Sequence, residues 1–484
     1  MKNFIGFAFA FLSLLAGKVT AQEMWGAANS NYAGQMGMDL NPATMAGAPY
    51  QWEIHFLSMD AALLNNFMYL KADSKIIRKS MEGNNIEEGK LTDRYTKKPD
   101  KFAYASAFLK YPSFIWVGKK FSAGFHASTR AELSARNIPY HLAKYLKEGF
   151  DFDGQQGNNY AVKNAKAAYL TWHEIGLSGA AIVKNTPESY LTVGLTVNYN
   201  YGLSGFYALM NDVDYVVPYD SLLVINNMDA TYGHAMPGNN RNSSDDPLLK
   251  RGSGYSFTTG LQYYKNRNDA FFDPCARGKG DKPYDYKIGF SILDVGYIKY
   301  TTSAMNFRID NRSANWYGID TTQFHGLINT DSLLSEEFYG TRRGTKDGRN
   351  FTMFLPTAAS VQFDLPFNDH LFLNFSVIQR IPLSKLAIRR SNQIAITPRF
   401  ESRRFEVALP ISYYDFFKPR VGVSLRYGIF TIGSDMISSL LGVTDTYGAD
   451  LYFGITWKHY KSCGGANRRN AGRIKSLEKC KISN

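Results

Sequence analysis

The 484-residue sequence is poor in cysteine and poor in long apolar runs. Its three cysteines are too few for a fold stapled by disulfides. After residue 17 no segment approaches the ~20 apolar residues that a transmembrane helix needs, which argues against a helical membrane bundle. A β-barrel is not excluded, because its strands are apolar on one face only. The 33 phenylalanines and 32 tyrosines favour strands over helices.

Motifs of known catalytic or metal-binding chemistry are also missing. The eight histidines form no HExxH motif and no close pair suited to a metal. The sequence contains no GxSxG elbow and no P-loop, and it offers no Ser–His pair for a hydrolase on the outer wall of a barrel. We therefore expect a protein that is not an enzyme and has no cofactor.

Positive charge is concentrated at the two ends of the chain. Of the formal net charge of +13, residues 1–21 contribute +2 and residues 461–484 contribute +6. The high isoelectric point is thus largely a property of a basic tail, 461–484, which we expect in the periplasm, and it gives no support for nucleic-acid binding. Such a tail either touches an anionic partner or is simply solvated.

The first 21 residues are predicted to be a cleaved secretory signal. Lys2 is followed by the apolar run 4–17, and Val19-Thr20-Ala21 fits a small-residue cleavage site before Gln22. A membrane anchor would need about 20 apolar residues, and Lys18 interrupts the run. An exported chain of this kind is soluble, surface-attached or an outer-membrane barrel.

Strands with one apolar and one polar face recur along the chain. In the clearest of them one face carries Leu191, Val193, Leu195, Val197, Tyr199 and Tyr201, and the other carries Thr192, Gly194, Thr196, Asn198, Asn200 and Gly202. A period of two is typical of a β-strand. The same alternation occurs at 121–128, 255–263, 286–292, 421–428 and 451–458.

Three features favour a membrane barrel over a soluble sandwich. Many strands reach the ~9–11 residues that a tilted strand needs to cross a bilayer. Aromatic residues lie at strand ends, where interfacial girdles occur: Tyr199, Tyr201, Tyr297, Tyr300, Trp457 and Tyr460. The polar faces are rich in Gly, Ser, Thr and Asn, which suits a lumen. We therefore predict an all-β fold, a transmembrane antiparallel β-barrel of about 14 strands located in the outer membrane.

Polar stretches between the strands are predicted to be long outer loops. They lie at 74–100, 211–253, 265–283 and 303–350. A short amphipathic helix is expected near 138–150, with Leu142, Tyr145, Leu146 and Phe150 on one stripe. The barrel with its loops is expected to extend over 49–460.

An ordered set of motifs resembles a known family. The motifs are Leu40-Asn41-Pro42-Ala43-Thr44-Met45-Ala46-Gly47, the segment 121–130, Asn137-Ile138-Pro139, Thr171-Trp172-His173-Glu174-Ile175-Gly176-Leu177, Leu191-Thr192-Val193-Gly194, Tyr201-Gly202-Leu203 and the segment 426–435. In this order they resemble an uncharacterised DUF-type family of Bacteroidetes outer-membrane barrels, distantly similar to FadL and PorV. The resemblance covers residues 30–460.

The resemblance implies a plug and a location, but no established activity. In FadL-like barrels the Asn-Pro-Ala segment, here Asn41, Pro42 and Ala43, belongs to a small N-terminal plug inside the lumen. The corresponding segment here is 22–48. The function implied by FadL is a channel for small hydrophobic molecules, and no FadL ligand residue can be placed on this chain.

Six polar residues on the strands are expected to face the lumen. They are His126, Arg130, Glu174, Asn198, Lys287 and Arg426. One interpretation is a charged ladder along a solute path. The other is a set of lumen charges that pair with the plug and fill the barrel, because buried charges need partners.

Two further features have alternative interpretations. In an oxidising compartment Cys463 and Cys480 could form a disulfide that closes a loop in the tail, with Cys275 as an odd thiol, or all three could be reduced. A dense basic stretch either meets lipopolysaccharide phosphates or an acidic partner, or lies at the membrane rim, and includes Arg380, Arg389, Arg390, Arg399, Arg403 and Arg404.

Two functional hypotheses follow. A FadL-like transporter predicts an apolar pocket between the Asn41 region and the wall, with outer-membrane lipid and a small hydrophobic ligand as partners. A non-catalytic scaffold subunit of an outer-membrane assembly, for secretion or protein insertion, predicts ordered outer loops and stable protein partners.

Overall fold

A computed structural model describes most of the chain. The described residues are 24–71, 91–96, 100–149, 153–237, 246–266, 284–324, 326–437, 441 and 444–460. The predicted signal, the basic tail 461–484 and all three cysteines lie outside them, so the signal cleavage and the Cys463–Cys480 disulfide stay predictions.

Short helical turns precede the strands, and two longer helices lie between them. The helical elements are α1 (Trp25–Ala28), α2 (Gln35–Leu40), a 3-10 turn (Pro42–Met45), α3 (Tyr140–Glu148), a second 3-10 turn (Asp153–Gln155) and α4 (Gly326–Tyr339). Among the described residues, no helix combines the length and the hydrophobicity needed to cross a bilayer.

Within the described residues, twenty-three strands make up most of the remaining structure. The first twelve are β1 (Tyr50–Asn65), β2 (Met68–Leu70), β3 (Leu91–Asp93), β4 (Lys101–Lys110), β5 (Ser113–Val117), β6 (Phe121–Ile138), β7 (Asn159–Asn185), β8 (Ser189–Tyr219), β9 (Leu222–Ala235), β10 (Gly252–Lys265), β11 (Tyr286–Tyr300) and β12 (Ala304–Tyr317). The others are β13 (Lys346–Gly348), β14 (Phe351–Phe354), β15 (Ala358–Pro366), β16 (Leu371–Arg380), β17 (Gln393–Glu401), β18 (Phe405–Ala408), β19 (Ile411–Tyr414), β20 (Pro419–Val421), β21 (Val423–Tyr427), β22 (Phe430–Ser434) and β23 (Gly448–Tyr460).

The sheet closes on itself as an antiparallel barrel. β1 pairs with β23 on one side and with β4 and β5 on the other, so the first and last strands are neighbours. Some membrane-crossing segments are interrupted and consist of two consecutive strands, such as β4 and β5 or β14 and β15. Each such pair counts as one span. Counted in this way, the described residues form 14 spans, as the sequence predicts. Closure leaves no unpaired edge, which a sheet in lipid requires.

The barrel is apolar outside and polar inside. On β8 the side chain of Leu195 is 47% exposed, whereas that of Thr196 on the opposite face is 5% exposed. The same contrast separates Phe125 from His126 and Leu425 from Arg426. A soluble protein would bury the apolar face instead. A closed barrel with an apolar outer surface is an outer-membrane barrel, and this surface contacts lipid.

Aromatic side chains mark both ends of the apolar surface. Tyr255 and Tyr297 are exposed toward one end, and Trp116 and Trp457 toward the other. The expectation for Tyr300 is wrong: its ring is fully buried inside the barrel, and its hydroxyl donates to the carbonyl of Ser204. A bulge at Asp294, with φ of 50°, reverses the inward and outward alternation before Tyr300 is reached.

The connections identify the two ends of the barrel. Short turns at 118–120, 186–188 and 402–404 lie at the end from which β1 starts. In bacterial barrels this is the periplasmic end. β10 ends and β11 begins at this same end. The stretch 265–283, expected among the outer loops, lies almost entirely outside the described residues.

The outer end extends far beyond the membrane. β8 has 31 residues. At about 3.3 Å per residue its contour length is about 100 Å, roughly three times the hydrocarbon thickness of a bilayer. The upper part of β8 pairs with β9, and β9 pairs with β12. The stretches 211–253 and 303–350, expected to be loops, therefore contain the upper end of β8, the strands β9, β12 and β13, and the helix α4.

A separate apolar core stabilises this outer extension. It is formed by β7, β8, β9, β12, α3 and α4, with Leu142, Val162, Val213, Trp316 and Phe338 among its buried members. Leu146 of α3 is half exposed, contrary to the predicted stripe, and Phe150 lies outside the described residues.

Hydrogen bonds and ion pairs hold α3 to the strand β3. Asp93 accepts hydrogen bonds from Tyr140 Oη at 2.6 Å and from the Nζ atoms of Lys144 and Lys147 at 3.0 Å each. Partial burial would raise the pKa of Asp93, but these donors together hold it well below its usual value. The carboxylate is thus ionised under ordinary conditions and ties β3 to the helix.

Candidate functional site inside the barrel

Residues 24–48, called the N-terminal segment below, contact the inner face of the wall. Their hydrogen bonds reach inward-facing residues of strands spread around the barrel: Glu53, Lys110, Ser122, Thr192, Ser291, Gln362, Ser376, Gln393, Glu401, Glu406 and Asp435. The polar lumen faces therefore serve as partners for the backbone and side chains of this segment.

Asn41 fastens the middle of the N-terminal segment to the wall. Its Nδ2 donates to the carbonyl of Leu261 at 3.2 Å and to Gln362 Oε1 at 3.1 Å. Its Oδ1 accepts from the backbone N–H of Ala43 at 3.1 Å, which caps the turn that begins at Pro42. Asn41 is 1% exposed, so these bonds satisfy an amide that has little access to water.

Glycines on the wall make room for the Asn-Pro-Ala turn. A Cβ atom at Gly260 would lie 2.2 Å from Asn41 Oδ1, and one at Gly194 would lie 2.4 Å from the backbone nitrogen of Ala43. No side chain fits at such distances. The glycines on the polar strand faces thus permit close approach of the N-terminal segment to the wall.

The start of the segment is held by a second anchor. Asp435 Oδ2 accepts from the backbone N–H of Trp25 at 2.9 Å, and Trp25 Nε1 donates to Gln393 Oε1 at 3.0 Å. The Trp25 ring is fully buried among inward-facing residues of the wall. A large ring with a satisfied N–H fixes the segment at this point.

A ring of charges lines the wall near the periplasmic end. Arg399 Nη1 lies 2.6 Å from Asp364 Oδ1, and Arg399 Nε lies 2.9 Å from Glu401 Oε2. Lys287 Nζ is 3.8 Å from Asp364 Oδ2. These residues are all buried, so the opposite charges compensate one another within the wall.

The same ring supports the lower part of the N-terminal segment. Arg426 pairs with Glu406 at 2.9 Å, and Glu406 also accepts from Ser30 Oγ at 2.7 Å. The Arg426 guanidinium lies 5.1 Å from the centre of the Tyr32 ring. Lys287 and Arg426, both predicted to face the lumen, thus lie in this ring and pair mainly with other wall residues.

A second charged cluster lies deeper in the barrel. Arg130 Nη1 and Nη2 each lie 3.0 Å from a carboxylate oxygen of Asp294, and Arg130 also pairs with Glu132 at 2.7 Å. Arg390 reaches the same Asp294 at 2.9 Å. The guanidinium of Arg130 is stacked 4.9 Å from the centre of the Trp172 ring.

A cavity of about 140 Å³ lies between this cluster and the N-terminal segment. Its apolar side is formed by Met24, Met36 and Met38 of the segment, with Phe108 and Leu133 of the wall. Methionine side chains are flexible and polarisable and adapt to ligands of different shape. An apolar cavity of about 150 Å³ holds a benzene molecule, so this volume suits a small ligand.

The opposite side of the cavity is polar. It is lined by Arg130, Glu132, Glu174, Asp294 and Arg390, together with His126 and Asn198. The arrangement can hold a small molecule whose apolar body faces the methionines and whose polar group faces the cluster. Four of the six predicted lumen residues, His126, Arg130, Glu174 and Asn198, therefore meet at one cavity.

The position of the cavity differs from the expected one. The sequence predicts an apolar pocket between Asn41 and the wall, but Asn41 is hydrogen-bonded to the wall there, and the cavity lies beside Leu40 and Met38. Sequence reasoning also missed Asp294 and the three methionines. Asp294 lies two residues after the end of the alternating stretch 286–292, and an acidic residue at that point was the one available signal.

The arginines after β16 do not form one patch. Arg380 pairs with Asp415 at 2.9 Å near the outer end, whereas Arg399 is buried in the periplasmic ring and Arg403 lies 3.9 Å from the Tyr460 ring centre. β17 runs from one end of the barrel to the other, so Arg380 before it and Arg399 near its end lie far apart. The arginines of this stretch therefore do not share one surface, and whether they meet lipopolysaccharide, an acidic partner or the membrane rim stays a prediction.

Within the part of the chain that the structure describes, no group of three or more His, Cys, Asp or Glu side chains is arranged to hold a metal ion.

Comparison with known proteins gives a family match. Residues 42–435 match the model of a family described as a family of unknown function, DUF5723. No protein with a curated description matches the sequence.

Similar folds occur among solved structures. A FadL homologue of Pseudomonas aeruginosa is 12% identical, with 92% of this chain and 99% of that chain covered and a TM-score of 0.42. A TodX monoaromatic hydrocarbon channel, the deltaS2 mutant, is 10% identical, with coverages of 89% and 95% and a TM-score of 0.40. The Pseudomonas putida toluene transporter TodX is 9% identical, with coverages of 91% and 98% and a TM-score of 0.32. At these values the similarity says nothing of what this chain binds.

Proposed function

Since the chain belongs to DUF5723, a family of unknown function, we propose its function from its geometry: an outer-membrane channel for small, mainly apolar molecules. In this proposal the N-terminal segment is a plug, and the cavity is the place where a passing molecule binds. The protein is not an enzyme and needs no cofactor, and its exported form begins after the signal peptide.

The cavity with its three methionines carries the proposal. A segment that only filled the barrel would be expected to pack tightly against the wall, as it does around Asn41 and Trp25. Beside Met24, Met36 and Met38 it leaves about 140 Å³ free instead. A cavity inside a membrane barrel with one apolar side and one polar side favours a small, mainly apolar ligand.

Native mass spectrometry of the protein extracted from its own outer membrane in mild detergent tests the proposal. Thr196 lines the cavity, so Thr196→Phe would place a ring in it. Leu195→Phe is the matched control. Leu195 is the neighbour of Thr196 in the chain, but its side chain points to the opposite face of the strand and contacts lipid. We expect a discrete small apolar adduct on the wild type and on Leu195→Phe, and none on Thr196→Phe. Absence of the adduct from all three, or its presence on all three, would contradict ligand binding in the cavity.

A scaffold role is the second candidate, and the outer extension favours it. β7 and β8 continue well beyond the membrane and share an apolar core with α3 and α4. An ordered body of this size outside the membrane is suited to binding a protein partner in a secretion or insertion assembly. A stoichiometric second protein in the same mass spectra, without a small adduct, would support this function over transport.

A further inference from the structure

The outer mouth of the barrel contains a second, larger cavity, called the vestibule below. Its volume is about 580 Å³, and it is lined by Asn66, Arg94, Thr96, Asp100, Lys101, Phe102, Arg136, Asn137, Arg380, Asn392, Asp415, Phe416 and Phe417. These residues follow or precede the outer ends of β1, β4, β6, β16, β17 and β19. The vestibule therefore faces molecules that approach from outside the cell.

Positive charge exceeds negative charge in the vestibule. Four cations, Arg94, Lys101, Arg136 and Arg380, face two carboxylates. One of these, Asp415, is already occupied by Arg380 at 2.9 Å, and its other oxygen accepts from Tyr104 Oη at 2.7 Å.

An adjoining crevice adds further positive charge to that of the vestibule. It shares Arg136 with the vestibule, adds Lys166, Lys385 and Arg389, and has no carboxylate among its lining residues. Burial and then the neighbouring Arg389, Lys385 and Arg136 lower the pKa of Lys166, as expected where like charges are close. Arg389 also lines the inner cavity, so the basic surface continues from the mouth to the proposed binding place.

Two of these cations have no carboxylate within ion-pair distance among the described residues. Lys101 is 2% exposed, and its Nζ donates to neutral oxygens, the carbonyl of Arg94 and Thr96 Oγ1, whereas Asp100 and Asp93 act on it from farther away. Arg136 Nη1 is buried and has no hydrogen-bond partner in the described part of the chain. Burying positive charge without a counter-charge is costly, so an anion in the vestibule would stabilise this arrangement.

We propose that the vestibule is a binding site for a phosphoryl group. Guanidinium groups bind phosphate oxygens through paired N–H donors, and three arginines line the vestibule. The excess of cations favours an anion with two negative charges over a single carboxylate. The volume accommodates a small organic phosphate, and the same chemistry would hold the phosphate of a lipid headgroup, including lipopolysaccharide. This proposal does not depend on the proposed transport function of the barrel.

Calorimetric titration of the full-length protein in detergent with inorganic phosphate and glycerol 3-phosphate tests this site. We expect saturable binding that weakens as sodium chloride is added, because the attraction is electrostatic. Arg94→Gln combined with Arg136→Gln should weaken binding by about tenfold or more, because both arginines line the vestibule. Lys163→Gln is the control, since this lysine is 69% exposed and does not line the vestibule. Arg136→Gln alone serves as a second variant where the double substitution fails to fold.

Further arms of the experiment separate the alternatives. Titration in nanodiscs of phosphatidylcholine and of phosphatidylglycerol distinguishes a lipid phosphate from a soluble one. If free phosphate binds more weakly only in the anionic phosphatidylglycerol bilayer, the site belongs to a lipid headgroup. If it binds equally in both bilayers, the site belongs to a soluble phosphate. Acetate that binds as tightly as phosphate would overturn the phosphoryl assignment. Absence of saturable phosphate binding, or equal affinity in wild type and variants, would overturn the site itself. Neither result bears on the apolar adduct at the inner cavity.

Discussion

The side-chain oxygen of Asn41 occupies the space in which a side chain at position 260 would begin. A Cβ atom on Gly260 would lie only 2.2 Å from Asn41 Oδ1. The wall strand β10 and the N-terminal segment therefore pack closely at this point. Gly260 has no side chain, and the amide of Asn41 fills the space that such a side chain would need.

Substitution of this glycine should loosen the N-terminal segment. Gly260→Ala forces the Asn41 amide to move, and we expect a loss of about 1–3 kcal/mol in stability, as for other overpacked sites. Hydrogen exchange of residues 35–48 should become faster. Gly179→Ala is the matched control, because a Cβ there meets nothing within 4 Å. Equal exchange in the two variants would show that the contact is not important.

The amide of Asn41 should be important as a donor as well as an acceptor. Asn41→Ala leaves the carbonyl of Leu261 and the amide of Gln362 without their donor, and we expect it to cost about 1–3 kcal/mol. Asn41→Asp keeps the oxygen that caps the Pro42 turn but loses both N–H groups. Urea unfolding should therefore show both variants to be less stable than wild type. A stable Asp variant would limit the role of Asn41 to capping.

The buried charge ring should be sensitive to loss of one member. Arg399→Met leaves Asp364 and Glu401 without their main partner in the barrel interior, and we expect it to cost about 3–5 kcal/mol. Arg308→Met is the comparison, since Arg308 pairs with Asp310 on the exposed surface and should change stability by less than about 1 kcal/mol. Urea unfolding measures both. A cost for Arg399→Met no larger than that of the comparison would indicate that the ring carries little stability.

The docking of α3 should depend on pH through His141. The His141 ring is stacked 4.4 Å from that of Tyr160, and burial lowers its pKa, while Asp100 opposes the shift. A histidine with a lowered folded pKa contributes stability that is present above its unfolded pKa of about 6.5 and is lost as the pH falls below it. Hydrogen exchange of 140–148, corrected for intrinsic rates, should therefore be faster at pH 5.5 than at pH 7.5.

A control separates His141 from the other charges on α3. Asp93 pairs with Lys144 and Lys147, and its depressed pKa keeps it ionised throughout this range, so its contribution is lost only in more acidic solution. His141→Phe should abolish the pH dependence and keep the ring stacking. Persistent dependence in that variant would assign the effect to another group.

The membrane-spanning part of the fold was predictable because lipid imposes a period of two. Val193, Leu195 and Val197 alternate with polar residues, since one face meets lipid and the other meets the N-terminal segment. β9 and β12 were missed because they lie outside the membrane, where only some of their residues pack into an apolar core and no lipid-facing alternation runs along the whole strand. Tyr300 was misplaced because one bulge at Asp294 reverses the alternation, and sequence periodicity does not show a bulge.

The candidate site was predictable only on its wall side. His126, Arg130, Glu174 and Asn198 stand out as polar residues on alternating strands. Met24, Met36 and Met38 carry no such signal, because they lie in short helical turns without a period. Which wall residues they face is decided by the tertiary placement of the N-terminal segment.

Closure of the barrel has a consequence for its biogenesis. The first strand pairs with the last, Tyr50 with Tyr460 and Leu64 with Gly448, so the seam cannot form until the whole chain has been made. The N-terminal segment immediately precedes the first strand and is joined to strands all around the circumference. It therefore comes before every strand of the barrel in the chain and lies innermost in the structure. Closing the seam between β1 and β23 therefore encloses a segment that is hydrogen-bonded to the wall around its circumference, and the finished barrel holds that segment in place.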